Sequence, residues 1–393
     1  MKKIGYFMGA ALLTLGSCTN EINEEGFVDK AKTISFNAYS NKTRAVTGDV
    51  TSENIKGDNF GVVGYKSDNS IYLYKGTNSA VEQQWQQPSG ESGSWEYSNM
   101  EDLKFWPEGS MDFYAYFPYT DNATFAESNS SSDVMTIPNV DCSHDVLFAY
   151  KGSQEKIARV PLTFNHAFSK IKGLVIEMPA DGSLFKSNCQ VEVQKVEFIN
   201  TDTKGNVKVN NSGNASYSFN STNVTLSETL YPVVTINKTA GNTSKNLIDN
   251  GTNAKGYLFA TNSSVTNSVI GTGKTMWDGV KSNITGENHK LSESELVCLK
   301  LTCKVWNGAD SKKYYYVGGD GDNNYGVVYI PLKGTDSNSN PVSTLDAGKR
   351  YTYKIVMKDN VGYTNEGDPI LTPILFEVED VTDWDDVTVT ITL

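Results

Sequence analysis

The sequence is poor in the residues that most catalytic and metal sites use. It holds three histidines and five cysteines among 393 residues, and no Gly-x-Ser-x-Gly motif surrounds any of its serines. Its 46 acidic residues exceed its 34 basic ones, which gives a formal charge of −12. Binding to nucleic acid needs a basic surface, so this charge argues against such a partner. We therefore expect no enzyme, no metal site and no cofactor.

Helical periodicity is almost absent as well, whereas apolar and polar residues alternate with a period of two in many segments. Clear examples are FGVVGY (60–65), MDFYAYFPY (111–119), VPLTFNHAFSKIKGLVIEM (160–178), ELVCLKLTCKVW (295–306) and RYTYKIVM (350–357). The segments between them are rich in Asn, Ser, Gly, Asp and Thr, as turns require. The pattern predicts an all-β protein made of two antiparallel β-sandwiches, with the link between them near residues 178–188.

Three other features have a structural and a chemical interpretation, and the structural one is favoured each time. Cys298 and Cys303 lie five positions apart on one predicted strand, on opposite faces and roughly 16 Å apart, so they cannot form a disulfide with each other. Buried free thiols are expected instead. His166 lies between two phenylalanines of a predicted strand, which favours a hydrogen-bonded core histidine over a catalytic base. The stretch GGDGDNNYG (318–326) lacks the Gly and Glu of a calcium loop and predicts a turn.

The first eighteen residues have the pattern of an export signal. Two lysines precede an apolar run, 4–15, which is too short to span a membrane well, and LGSC (15–18) closes it. Small residues directly before a cysteine form a lipobox, so Cys18 is the expected site of lipid attachment. An ordinary signal peptide that contains a cysteine is the alternative. No later stretch approaches the roughly 18 apolar residues of a membrane helix, so we expect attachment by lipid alone.

Each end of the expected mature chain carries a short amphipathic strand. The apolar residues are Ile34, Phe36 and Ala38 in TISFNAY (33–39), and Val387, Val389, Ile391 and Leu393 in VTVTITL (387–393). Strands of this kind can add to an open sheet of another molecule, where main-chain hydrogen bonds give affinity and alternate side chains give specificity. The alternative is that each is an ordinary edge strand of its own domain.

Arg44 directly follows the first of these strands and is one of only three arginines. It lies in AYSNKTRAVT (38–47), between the strand and a polar stretch. A solvated loop cation and a protease cleavage site both fit this context.

Six blocks, in this order and spacing, make the sequence resemble the fimbrillin-type pilins of the lipoprotein-derived (type V) pili of Gram-negative anaerobes. They are LGSC, ISFNAYSNKTRA, FGVVGY, KFWPEGSMDFYAYFPY, VPLTFNHAFSKIKGLV, and GKRYTYKIVM followed by FEVEDVTDWDD. The resemblance implies two transthyretin-like β-sandwich domains after a lipidated leader. It also implies that a trypsin-like protease removes the first strand, and that the C-terminal strand of a neighbouring subunit fills the groove left behind.

On this sequence the resemblance implies lipid on Cys18, cleavage between Arg44 and Ala45, and a donated segment from about Thr382 to Leu393, which includes VTVTITL. The expected organisation is a signal peptide (1–17), a leader with the removable strand (18–44), an N-terminal domain (45–182) and a C-terminal domain (183–393). The expected partners are other pilin subunits, the processing protease and a ligand on a host or bacterial surface. The expected location is a fimbria on the outer membrane, with a role in adhesion. The alternative function is a tethered surface lipoprotein that binds glycans through exposed aromatic residues and does not polymerise.

Overall fold

A computed structural model describes most of the chain. The described residues are 33–40, 50–141, 144–182, 184, 189–202, 204–219, 224–237, 244–249, 257–260, 275–285, 288–308, 313–370, 375–379 and 385–392. Cys18, the Arg44–Ala45 bond, Cys142 and Leu393 lie outside these ranges. Within them, no helix is both long and apolar enough to cross a membrane.

The described elements are almost all strands. In the first half they are β1 (Phe36–Ser40), β2 (Phe60–Lys66), β3 (Ile71–Leu73), β4 (Val81–Gln86), β5 (Ser94–Tyr97), β6 (Met111–Phe117), β7 (Thr124–Phe125), β8 (Met135–Asp141), β9 (Leu147–Gln154), β10 (Val160–His166), β11 (Phe168–Glu177) and β12 (Cys189–Thr201). In the second half they are β13 (Lys204–Val209), β14 (Ala215–Phe219), β15 (Val224–Asn237), β16 (Ser244–Asp249), β17 (Tyr257–Ala260), β18 (Thr275–Met276), β19 (Leu296–Asn307), β20 (Tyr314–Val317), β21 (Gly326–Pro331), β22 (Gly334–Thr335), β23 (Pro341–Val342), β24 (Lys349–Val356), β25 (Leu375–Glu379) and β26 (Asp385–Thr392). Short 3₁₀ turns lie at Asn54–Gly57, Met100–Asp102, Lys281–Asn283 and Leu291–Glu293.

The N-terminal part is built around one large sheet with the strand order β1-β10-β9-β6-β2-β4-β5, and β3 pairs with β2 beside this path. A four-stranded sheet, β14-β13-β8-β7, contributes to the core on one face. Tyr65, Tyr114, Phe125 and Val207 belong to this core. A second core, which contains β1 residues, includes Phe36, Phe60, Val62 and Phe113. Because both cores take residues from the large sheet, many of its strand residues are buried in succession.

The C-terminal part is a sandwich of two further sheets. One has the order β16-β11-β24-β26-β25 with β17 beside β11, and the other has the order β15-β12-β19-β18 with β20 and β21 on β19. Apolar residues of both sheets form one core, to which Leu174, Val193, Leu299 and Tyr353 belong. β26 lies inside its sheet, between β24 and β25, whereas β25 is the end strand.

The all-β fold class is confirmed: the described chain is nearly all strand in several sheets. Strand pairing crosses residue 182 in both directions, since β11 pairs with β24 and β13 pairs with β8. The division into domains at that residue stays a prediction.

The structural interpretations of the three chemical features are also confirmed. Cys298 and Cys303 are buried free thiols on one strand, β19, and Cys189 is a third. His166 is a buried histidine whose Nδ1 lies 2.9 Å from Oδ2 of Asp145. The stretch 318–326 is a turn between β20 and β21, closed by a 2.8 Å bond from the Gly319 N–H to the Asn324 carbonyl.

Candidate functional site: the groove that holds the first strand

β1 lies at the end of the large sheet and buries its apolar face completely. Ile34 and Phe36 are 0% exposed and Ala38 is 7% exposed, while Ser35 and Asn37 of the other face are half-buried. This alternation follows from the pleat of a strand, in which residues two apart point the same way. The structure thus places the three predicted residues together on the core face.

Of the strands that the structure describes, β1 pairs with β10 alone, and the two run parallel. Phe36 faces Val160, and the register continues to Ser40 opposite Phe164. The N–H of Val160 donates to the carbonyl of Ser35 at 2.7 Å. Parallel neighbours are not joined by a short hairpin turn, so the pairing of β1 with β10 does not depend on a direct connection between them.

The other side of the first strand is held by a loop and by side chains. The N–H of Ile34 donates to the carbonyl of Lys104 at 2.9 Å. The hydroxyl of Tyr97 donates to the carbonyl of Ile34 at 2.8 Å in a buried position. Burial raises the pKa of Tyr97 above its ordinary range, so the hydroxyl keeps its proton and remains a donor.

Arg159 connects the two end strands of the sheet. Its Nη1 donates to the carbonyls of Phe36 in β1, at 3.4 Å, and of Trp95 in β5, at 3.3 Å. Its Nη2 lies 3.3 Å from Oε1 of Glu96, also in β5. Guanidinium groups offer several donors in a fixed plane, which suits this bridging position. Since the bonds to Phe36 and Trp95 end on main-chain carbonyls, they do not depend on the side chains at those positions.

Phe36 fills an aromatic pocket. Its ring lies edge-on to Phe113, with centroids 5.4 Å apart, and to Phe60, with centroids 6.3 Å apart. Phe60 in turn packs edge-on against Trp95 at 4.8 Å. Edge-to-face pairs contribute about 0.5–1.5 kcal/mol each beyond the burial of their surface. The ring of Phe36 therefore joins the strand to the aromatic core.

We call the site of this strand the first-strand groove. The residues that line it are Phe60, Trp95, Tyr97, Phe113, Arg159 and Leu162. Removing β1 would expose this apolar surface together with unpaired main-chain groups of β10, and both are unfavourable in water.

A buried aspartate–histidine pair fixes the chain where the described residues resume after β1. The N–H of Val50 donates to Oδ2 of Asp145 at 3.0 Å. The side chains of Asp145 and His166 are 3% and 5% exposed and lie within hydrogen-bond distance of each other. Val50 is therefore tied to the large sheet independently of β1.

The predicted donor strand lies inside the C-terminal sheet. The backbone of β26, which includes Val387, Val389 and Ile391, pairs in parallel with β24 and antiparallel with β25. Its donation to another molecule stays a prediction, as does cleavage at Arg44.

Sequence reasoning missed Arg159 and Tyr97 as part of the site. Arg159 had one usable signal: it is one of three arginines and directly precedes the strand VPLTFNH. Tyr97 had none, because its role depends on the approach of β5 to the first strand.

The protein is all-β. In its described residues, the end strand β1 of the large sheet is held by one neighbouring strand, one loop and a few side chains. The sequence model described as fimbrillin-like matches residues 43–276, which is more than half of the chain. The chain therefore belongs to the fimbrillin-like family. Membership supports a pilin-type surface subunit and implies a location in a cell-surface fimbria.

Solved structures of fimbrial proteins are similar to the chain over most of its length. A fimbrial protein from Bacteroides vulgatus is 14% identical with a TM-score of 0.46, and the match covers 92% of this chain and 97% of that one. A fimbrilin from Porphyromonas gingivalis is 12% identical with a TM-score of 0.35, over 92% of this chain and 96% of that one. The fimbrial anchor protein Mfa2 of the same organism is 10% identical with a TM-score of 0.25, over 55% and 82%. No curated protein sequence matches the chain.

Proposed function

We propose that the protein is a structural subunit of a cell-surface fimbria that polymerises by strand exchange and contributes to adhesion. It is exported as a lipoprotein through Cys18 and is cut between Arg44 and Ala45, which frees the strand that contains Ile34, Phe36 and Ala38. A strand from the C-terminal end of a neighbouring subunit then fills the groove.

One observation carries this proposal: the apolar face of the first strand is buried, and yet among the described residues β10 is its one strand neighbour. Its loss leaves an empty apolar groove and one unpaired edge of β10, which still pairs with β9, and another strand can relieve this state. Each subunit accepts a strand at one end of the chain and supplies one from the other end. Such a contact is head-to-tail and does not close, so repetition gives a filament.

The position of Arg44 supports a cut that frees the strand. Arg44 lies four positions after Ser40, the last residue of β1, and six positions before Val50. Cleavage there would separate the strand from the part of the chain that the Asp145–His166 pair fixes. The strand would then remain only through noncovalent contacts.

The N-terminus of the protein from assembled fimbriae tests the proposal. Mass spectrometry should find a chain that starts at Ala45, and the Arg44→Ala variant should keep its leader and stay out of the fimbriae. Lys42→Ala is the matched control, because it removes a neighbouring cation and should leave processing intact. Full-length chains with acylated Cys18 as the only species would favour a tethered lipoprotein instead.

A further inference from the structure

A second segment of the chain repeats the side-chain pattern of the first strand. Residues 34–38 read ISFNA and residues 374–378 read ILFEV. In both, an isoleucine is followed two positions later by a phenylalanine and two positions after that by a small or β-branched apolar residue. Residues two apart share one face of a strand, so both segments can present the same apolar face. The segment VTVTITL (387–393) also alternates but has no aromatic residue.

The first-strand groove holds an aromatic residue, Phe36, at its centre. Phe36 is 0% exposed and touches the rings of Phe60 and Phe113. In VTVTITL, every register that turns the apolar face inward places Val, Ile or Leu at the position of Phe36. An aliphatic side chain there would leave part of the pocket empty and lose both edge-to-face contacts. In the segment ILFEV the same position is taken by Phe376.

The positions of the two C-terminal strands in their sheet also favour the segment ILFEV over VTVTITL. Among the described strands, β25 is an end strand and pairs with β26 alone, from Leu375 opposite Thr392 to Glu379 opposite Thr388. β26 pairs with β25 on one side and with β24 on the other. Withdrawing β25 breaks one strand ladder, whereas withdrawing β26 breaks two. Edge strands are the ones that exchange partners most readily.

We propose that the first-strand groove of one molecule takes up β25 of a second copy of this chain, with Phe376 in the place of Phe36. The strand runs parallel to β10, as β1 does. Glu377 then replaces the half-exposed Asn37, where a carboxylate keeps its contact with water, and Val378 replaces Ala38, the least buried of the three apolar positions. The inference rests on the proposed function and names the segment that the exchange uses.

Competition between peptides tests which segment the groove prefers. Protein that has been cut after Arg44 and freed of its leader is loaded with a fluorescent peptide of residues 33–40, TISFNAYS. Unlabelled peptides 373–380 (PILFEVED), its Phe376→Ala version and 387–393 (VTVTITL) then compete for the site. We expect the 373–380 peptide to displace the label at a concentration at least tenfold lower than either of the others.

The outcomes separate the two proposals. If the cut protein binds the 33–40 peptide, but VTVTITL competes as well as or better than PILFEVED, the assignment of β25 is wrong and strand exchange stands. If the Phe376→Ala peptide competes as well as PILFEVED, the aromatic requirement is wrong. If the cut protein does not bind even its own strand, both the inference and the proposed function are wrong.

A disulfide between two molecules tests the register directly. Asn37 faces Pro161 in the pairing of β1 with β10, so the inference places Glu377 of one molecule beside Pro161 of the next. Directly opposed strand residues lie within the Cα–Cα distance that a disulfide needs. Cut Pro161→Cys protein is therefore mixed with separately prepared Glu377→Cys protein. Thr390→Cys is the matched control, because Thr390 takes the position of Asn37 if β26 is donated with Val389 in the Phe36 pocket.

We expect a cross-linked product on a non-reducing gel from the Glu377→Cys mixture and not from the Thr390→Cys mixture. Circular dichroism of each uncut variant checks that it folds. A link from Thr390→Cys alone, or from neither variant when both are folded, overturns the proposed register.

Discussion

The first and the last described strands are both amphipathic in sequence, yet they occupy different places in their sheets. Within the described part of the chain, β1 is an end strand with β10 as its one strand neighbour, whereas β26 has a strand on each side. The comparison shows that an alternating pattern indicates which face of a strand is buried. It does not indicate whether the strand is hydrogen-bonded to one neighbouring strand or to two. Ease of removal depends on that number.

The means by which each strand is held also differ. On the side away from β10, β1 is held by the carbonyl of Lys104, the hydroxyl of Tyr97 and the guanidinium of Arg159. One main-chain bond and a few side-chain bonds thus stand where β26 has a second ladder. The affinity of the groove for a strand is therefore open to adjustment by single substitutions.

The largest effect is expected from Phe36→Ala in the uncut chain. Loss of the ring removes buried surface and two edge-to-face contacts, so the free energy of unfolding should fall by about 3–5 kcal/mol. Urea unfolding followed by tryptophan fluorescence measures it, since Trp95 belongs to the same core. Tyr39→Ala is the control on the same strand, because Tyr39 is 48% exposed, and it should change stability by less than about 0.5 kcal/mol. Equal effects would show that β1 is not held through its buried face.

A smaller effect is expected from Arg159→Ala. It removes the bonds to Phe36 and to β5, but the side chain is 24% exposed and the bonds are long, so the loss should be about 1–2 kcal/mol. Release of a fluorescently labelled first strand after cleavage should then be about tenfold faster. Lys281→Ala removes an exposed ion pair of the C-terminal part and should leave the release rate unchanged. An unchanged rate in Arg159→Ala would mean that the bonds of Arg159 contribute nothing to holding the strand.

The smallest effect, near zero, is expected on the thiols of the C-terminal part. Burial raises the pKa of Cys189 and of Cys303 to about 12 and that of Cys298 further, so all three stay protonated at pH 8 and react slowly. Their labelling by a thiol reagent should be the same before and after removal of the first strand, in a background in which Cys18 and Cys142 are both replaced by serine. Labelling that rises after removal would show that loss of β1 loosens the C-terminal core as well.

Much of the fold could be predicted from the sequence, because it depends on local patterns. Period-two alternation predicts the strands and the burial of Ile34, Phe36 and Ala38. The near absence of helical periodicity predicts the fold class. The thiols of β19 follow from their spacing on one strand.

What could not be predicted depends on pairing between distant segments. The sequence does not reveal that β1 binds β10, or that the two are parallel, because their register is set by packing between strands more than a hundred residues apart. The approach of β5, which brings Tyr97 and Glu96 to the groove, has the same origin. The inner position of β26 also depends on pairing between distant segments. The alternation in VTVTITL alone does not reveal that a strand lies on each side of it.

The covalent connection of β1 to the rest of the chain also has a consequence for competition between strands. While the chain is intact, β1 belongs to the same molecule as the groove, so its effective concentration there is higher than that of a separate peptide in dilute solution. Cleavage ends that advantage, because the freed strand is diluted like any other peptide. A strand from another molecule then competes on equal terms, and a neighbour already held nearby gains the advantage that the leader has lost.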